Sequence, residues 1–285
     1  MRLCRFNDDR LGLVKGDRVL DVTDALKALE AHRWPYPKGD ALICALPAIR
    51  ERIEILADLA VGFPLNEVSL KSPIANPTKV CAAPVNYRKH LEEAIEDPET
   101  FSREHIRQIQ ETGLFLKAVS AIVGPSEGVK LRKVDRRNDH EIELVAVIGR
   151  KADRVSRENA LDHVAGYMIG LDMTIRGPEE RSLRKSIDSY CVLGPWMVTA
   201  DEIPDPGKLS LELKVNGEVR QSANTKDLII DVPGLIEFAS SFYTLQPGDI
   251  LMTGTPEGVG PVKPGDTITA TIEKIGTMTV GVSAV

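Results

Sequence analysis

The chain has 285 residues, 42% hydrophobic and 27% charged, which places it in the globular class with enough apolar material for a sizeable core. A formal net charge of −6 and a pI near 5.5 weigh against nucleic acid as a partner, since phosphate binding normally requires a basic surface. No apolar run approaches the roughly 18 residues that span a bilayer, and acidic residues in MRLCRFNDDRLG stand where a signal peptide keeps its apolar stretch.

The four cysteines, Cys4, Cys44, Cys81 and Cys191, are widely spaced with no CxxC pair. They read as reduced, mostly buried thiols of a cytoplasmic protein, and they form no zinc motif. Length alone allows one large domain, or a main domain with a small companion.

Residues 1–75 read as a small N-terminal α+β domain. MRLCRF, GLVKG and DRVLDVTD suggest short strands, and residues 25–31 and 46–59 carry apolar positions at helical spacing. Pro73 and Pro77 mark a boundary. From Lys79 the texture becomes short β-runs between Gly/Pro turns, which favours an α+β, β-rich roll or barrel-like unit over residues 76–285.

Residues 88–112 are dense in charge and helical in pattern, broken near Pro98. They suggest a surface helix pair lying over something, although a merely solvated helix satisfies the composition equally. The basic run KLRKVDRR (130–137) reads as a solvated loop or hairpin edge. Further on, LELKV, Asn216-Gly217 and EVRQ make a hairpin signal. GDILMTG and DTITATIEKIGTMTVGV add strands entered through Pro247-Gly248-Asp249 and Pro264-Gly265-Asp266 turns.

Chemistry is suggested by three acids. DHEIELVAVIG (139–149) reads as a buried strand, and alternation puts Glu141 and Glu143 on one face with Ile142 and Leu144 on the other. Two such carboxylates repel unless a positive group lies between them, and a hard cation such as Mg²⁺ suits oxygen ligands. A solvated strand end explains the pair as well. GYMIGLD (166–172) is another apolar strand, and it ends in the lone carboxylate of Asp172, which is costly to bury without a partner. Lys185 could neutralise surplus charge or grip a substrate oxygen, though a lone lysine is usually surface.

Several blocks, in order, resemble the fumarylacetoacetate hydrolase family: KVCAAPVNYRKH (79–90), FLK (115–117) through SAIVGP (120–125), the Glu141-x-Glu143 strand, GY (166–167) through DMT (172–174), KS (185–186) through LGPW (193–196), and TGTP (253–256) through GVG (258–260). The likeness covers roughly residues 74–285, with a weaker likeness of the N-terminal portion to the family's small leading domain. It implies a mixed β-roll catalytic domain, a homodimer, and Mg²⁺ or Mn²⁺ held by Glu141, Glu143 and Asp172. It also implies a helical lid carrying a His90–Glu93 dyad; i, i+3 spacing puts both on one helix face, so the carboxylate can orient the imidazole. On its own His90 would read as surface. His32, His105, His140 and His163 gain no such support, and His140 is expected to face away from Glu141.

The sequence departs from the family's usual Thr-Ala-Arg-Asp and following glutamine. Gly177 stands at the aspartate position and Glu179 at the glutamine position. Arg176 could bind a substrate carboxylate or anchor Glu179 or Glu180, with the structural pairing favoured. Together with Thr255, Arg176 and Glu179 are the candidate substrate contacts. The implied reaction is hydrolysis of a carbon–carbon bond in an acylpyruvate-like or other 2,4-dioxo acid through a metal-stabilised enolate, with Lys185 assisting. Decarboxylation of oxaloacetate, isomerisation of a hydroxymuconate-type diene diacid and dehydration of a 2-keto-3-deoxy sugar acid are alternatives at the same site. A silent scaffold with a degenerate site is a third reading, opposed by the intact residue set.

Overall fold

The computed structural model describes residues 1–96 and 109–285. Its spine is one mixed sheet in which the order of strands, from edge to edge, is Gly62–Pro64, Arg18–Asp21, Arg10–Lys15, Arg2–Phe6, Cys191–Thr199, Val164–Asp172, Ile142–Ile148, Ile250–Met252, Val80–Ala82 and Phe115–Lys117. The leading strands therefore continue the sheet that carries the acids, through the pairing of Leu3 with Met197. The sheet stays open among the described residues, so the roll is not a closed barrel. A second sheet is built on the hairpin Ser210–Val215 and Glu218–Asn224, whose Asn216 and Gly217 both have positive φ, as an Asn-Gly turn demands.

Both faces of the central strands are covered. Ile142, Leu144, Ala146 and Ile148 join one core with Tyr167, Ile169 and Leu171, while Val145 and Val147 join a second with Met168, Leu193 and Met252. Two-sided burial explains the unbroken apolar run after Glu143. The same alternation carries the acids: Glu141 and Glu143 fall on the face of Val145 and Val147. Antiparallel register then sets Gly170 opposite Glu143 and Leu171 opposite Ile142, so Asp172 arrives beside Glu141, its N–H donating to the Glu141 carbonyl at 2.9 Å. Three acids from two strands are thereby delivered to one side of the sheet.

The expected helix at 46–59 begins earlier, spanning Ala41–Leu59, because the Asp40 side chain accepts the Ile43 N–H and caps it. The expected helix at 25–31 is a 3₁₀ turn, Thr23–Ala28. Arg88–Glu96 is helical, as is Ile109–Thr112; the break expected near Pro98, and His105, lie outside the described residues. All four cysteines are unpaired thiols, and burial pushes Cys4, Cys81 and Cys191 up to about 12. No helix among the described residues is long and apolar enough to cross a membrane.

The two Pro-Gly-Asp turns share one device. Asp249 accepts the Gln246 N–H at 2.7 Å and Asp266 the Lys263 N–H at 2.8 Å, with positive φ at Gly248 and Gly265. Asp249 is fully buried and also accepts from Thr78 N, Thr78 Oγ1, Lys79 N and Lys79 Nζ, clasping the Val80–Ala82 strand to Ile250–Met252. Replacing Asp249 by Ala orphans those part-buried donors and should destabilise the protein by about 3 kcal/mol, read from denaturant unfolding.

Candidate active site

Glu141, Glu143 and Asp172 are buried and each offers an oxygen within 4.8 Å of the others. Lys185, at the end of the short helix Arg181–Lys185, donates to Glu141 Oε2 at 2.7 Å, Asp172 Oδ2 at 2.6 Å and Thr174 Oγ1 at 2.7 Å. Lys117, buried at the end of its strand, bonds Asp172 Oδ1 and the Lys185 carbonyl. Arg176 reaches Asp139 Oδ2 at 2.7 Å and Glu141 Oε1 at 3.0 Å. Burial alone would raise the Glu141 pKa, but Lys185 and Arg176 outweigh it and bring it down to about 2.

Glu143 is the exception. Among the described residues no cation pairs with it; its partner is the Gly254 N–H, 2.7 Å from Oε2. Burial, and then the neighbouring Asp172, push its pKa well above the usual carboxylate range. Hard oxygen donors, with one carboxylate left short of positive charge, fit a divalent cation: the ion would hold Glu143 ionised between Glu141 and Asp172. Gly254 is required where it stands. Its φ is +100°, and a Cβ would lie 2.7 Å from that of Asn86. Asn86 in turn donates to the Thr253 and Ile230 carbonyls, both at 2.8 Å, pinning the turn under the start of the Arg88–Glu96 helix.

That helix brings His90 in. His90 is 4% exposed, and its Nδ1 lies 2.8 Å from Glu93 Oε2. Glu93 Oε1 accepts the Gly258 N–H at 3.0 Å, tying the helix to the loop after Thr255. Thr255 is buried and accepts from Gln221 Nε2 at 2.8 Å.

The departing segment makes contacts other than those expected. Arg176 does not anchor Glu179 or Glu180 as expected; it pairs with Asp139 and Glu141, and so orders the acidic cluster. Glu179 pairs with Arg136. Arg136 grips both its oxygens at 2.8 Å and also bonds the Arg176 carbonyl, holding the Glu179 carboxyl at about 2. Gly177 explains itself here, because a Cβ would run into the Arg136 guanidinium. The basic run 130–137 is correspondingly more than a solvated edge, since Arg137 also pairs with Asp139 at 2.8 Å.

The family described as fumarylacetoacetate (FAA) hydrolase C-terminal matches residues 79–283. The chain belongs to the fumarylacetoacetate hydrolase family. Within it, the chain is 57% identical to a maleylpyruvate hydrolase of Aquipseudomonas alcaligenes, over the full length of both. A crystal structure of maleylpyruvate hydrolase from Sphingobium sp. SYK-6, in complex with manganese(II) ion and pyruvate, superposes with a TM-score of 0.84 at 42% identity, covering 100% of this chain and 99% of that one. A mitochondrial oxaloacetate tautomerase of Xenopus laevis is 37% identical over 74% of this chain and 67% of its own.

Lys117 was not singled out as a site residue from the sequence. The signal was present: like Asp172, it is a lone charge ending an apolar strand. Gln221 and Arg136 gave no comparable signal, because their partners lie 34 to 81 residues away along the chain.

The raised Glu143 pKa has a measurable sign. The folded metal-free protein binds this proton more tightly than the unfolded chain, so its stability falls as pH rises above the ordinary glutamate value and through the folded one. Glu143→Gln should remove that fall and stabilise the metal-free protein near neutral pH, while abolishing the rise in Tm expected of the natural chain in Mn²⁺. Thermal unfolding in chelator and in Mn²⁺, between about pH 5 and 8, checks both halves.

Proposed function

We propose that this protein is a divalent-metal-dependent hydrolase that cleaves a carbon–carbon bond in an acylpyruvate of the maleylpyruvate type. One observation carries the reading: a chain matching a maleylpyruvate hydrolase along its whole length has a buried acidic cluster whose Glu143 is left short of a cation. Glu141, Glu143 and Asp172 are assigned as metal ligands, His90 and Glu93 as the proton-transfer pair, Thr255 as a donor to a substrate oxygen, and Lys185, whose three N–H groups are taken by Glu141, Asp172 and Thr174, as fixed positive charge beside the substrate. Arg176 is assigned to holding Glu141. Mg²⁺ or Mn²⁺ is the proposed cation, with manganese supported by the related complex. Residues 1–75 are proposed as a small leading domain and 76–285 as the catalytic one, with residues 88–112 as the lid. The protein is proposed to work as a cytoplasmic homodimer; the unpaired thiols support that setting.

The bound cation supplies Lewis-acid stabilisation for negative charge developing on the departing fragment. The protein's own residues do the rest. Glu93 fixes His90 through Nδ1, so Nε2 takes a proton from water. The resulting hydroxide adds to the distal carbonyl carbon. The bond from that carbon to the methylene breaks, and its electron pair leaves with the pyruvate fragment. The proton returns from His90 to the methylene carbon, completing one carboxylic acid and one pyruvate from substrate and water. Lys185 keeps Glu141 and Asp172 in place and presents positive charge to the bound oxygens.

The tautomerase relative favours a second reading, in which the same residues interconvert a keto acid and its enol without consuming water. A panel of maleylpyruvate, other acylpyruvates, oxaloacetate, hydroxy-dienedioates and keto-deoxy sugar acids separates the two. Pyruvate release from an acylpyruvate, lost in chelator, is the expected result; enol–keto exchange of oxaloacetate with no pyruvate released would favour the tautomerase. Glu141→Ala should lose both turnover and metal binding. His90→Ala should lower kcat by about 10²- to 10⁴-fold while Mn²⁺ still binds by calorimetry.

A further inference from the structure

The strand Glu218–Asn224 is half of an outlying hairpin, and Gln221 is its buried member, 1% exposed. Its carboxamide reaches the ligand strand where the sheet is interrupted: Asn138–His140 ends, Glu141 intervenes, and Ile142–Ile148 begins. Gln221 Oε1 accepts from Ile142 N at 3.1 Å and lies 3.2 Å from His140 Nδ1. Gln221 Nε2 donates to the Pro256 carbonyl and to Thr255 Oγ1, both at 2.8 Å. One side chain thus joins the residue between Glu141 and Glu143 to the turn whose Gly254 N–H holds Glu143.

The donor and acceptor roles are forced. A backbone N–H can only donate and a backbone carbonyl can only accept, so Ile142 and Pro256 settle which end of the amide is oxygen and which nitrogen. The second amide hydrogen then belongs to Thr255 Oγ1. With both donors and both acceptor directions of Gln221 engaged, the Thr255 hydroxyl cannot spend its own proton on Gln221, and among the described residues it has no other hydrogen-bond partner. A keto acid offers oxygen acceptors and needs donors.

We propose that Gln221 is a positioning residue that, by donating to Thr255 Oγ1, fixes the Thr255 hydroxyl as a hydrogen-bond donor to an oxygen of the substrate. The proposal rests on the hydrolase reading, in which Thr255 touches substrate. Gln221→Glu is the direct test. It keeps the shape and the acceptors but removes the donors, so the Thr255 proton turns to the new carboxylate and leaves the substrate.

Full-length Gln221→Glu, Thr255→Val, Thr255→Ser and the Gln221→Glu/Thr255→Val double variant are compared for Mn²⁺ affinity, for affinity of the Mn²⁺-loaded protein toward pyruvate, and for kcat/KM. Gln221→Glu and Thr255→Val should each lose about 10- to 100-fold in pyruvate affinity and in kcat/KM, with Mn²⁺ affinity within a few-fold of the natural chain. Thr255→Ser should rescue. The double variant should be no worse than Thr255→Val, because both changes remove one interaction. Wild-type pyruvate affinity in Gln221→Glu, or losses that multiply in the double variant, would overturn the proposal. Should Gln221→Glu not fold, Gln221→Met completes the same cycle, and absence of coupling there overturns it equally. Natural protein that neither binds pyruvate nor releases it from an acylpyruvate would bring down the hydrolase reading and this one together, whereas natural turnover with no coupling between the two positions removes this one alone.

Discussion

A carboxylate taken out of water must be neutralised, and Glu143 is the place where this protein leaves that to something other than a side chain. Glu141 has Lys185 and Arg176, and Asp172 has Lys117 and Lys185, so each oxygen pair is met by fixed positive charge. Glu143 has a backbone N–H. An unpaired buried acid costs several kcal/mol or titrates to neutrality, and a divalent cation beside it would remove that cost. The uneven distribution of lysine and arginine around three neighbouring acids is what turns a charged cluster into a candidate binding site.

The rest of the fold can be understood as the means of holding that imbalance in place. Two-sided burial keeps the Ile142–Ile148 and Val164–Asp172 strands in one register, since a slip of a single residue would throw each acid to the other face. The turn at residues 253–256 is held from above by Asn86 and from the side by Gln221, and it places the Gly254 N–H on Glu143. Glu93 ties the helix bearing His90 to Gly258 on the same loop. Glu143, Glu93 and Gln221 therefore all meet the 253–258 loop through its backbone groups.

Much of this was legible from local pattern. Alternation placed Glu141 and Glu143 together, the Asn-Gly pair marked the hairpin, and the isolated Asp172 at the end of an apolar strand pointed to a partner across the sheet. Spacing put His90 and Glu93 on one helix face, although only the family resemblance gave that pair a meaning. What could not be read were contacts whose partners are remote in sequence and ordinary in type. Arg136 sits in a run that looks like solvated surface, yet it clamps Glu179, 43 residues on. Arg176 was given the wrong acids because Glu179 and Glu180 are its neighbours in sequence, whereas Asp139 and Glu141 are its neighbours across the sheet. Gln221 lies in a strand that is polar and mostly exposed, and its burial is decided by how the second sheet meets the first.

Glu141, Glu143 and Asp172 are proposed to converge on one divalent cation. Anomalous diffraction from crystals grown with Mn²⁺ tests it most directly. A single strong peak in coordinating contact with all three carboxylates, with Glu143 drawn to it, is the predicted result. Full manganese occupancy elsewhere, or no peak among these oxygens with Lys185 still bridging Glu141 and Asp172, would contradict it and leave the cluster a structural network.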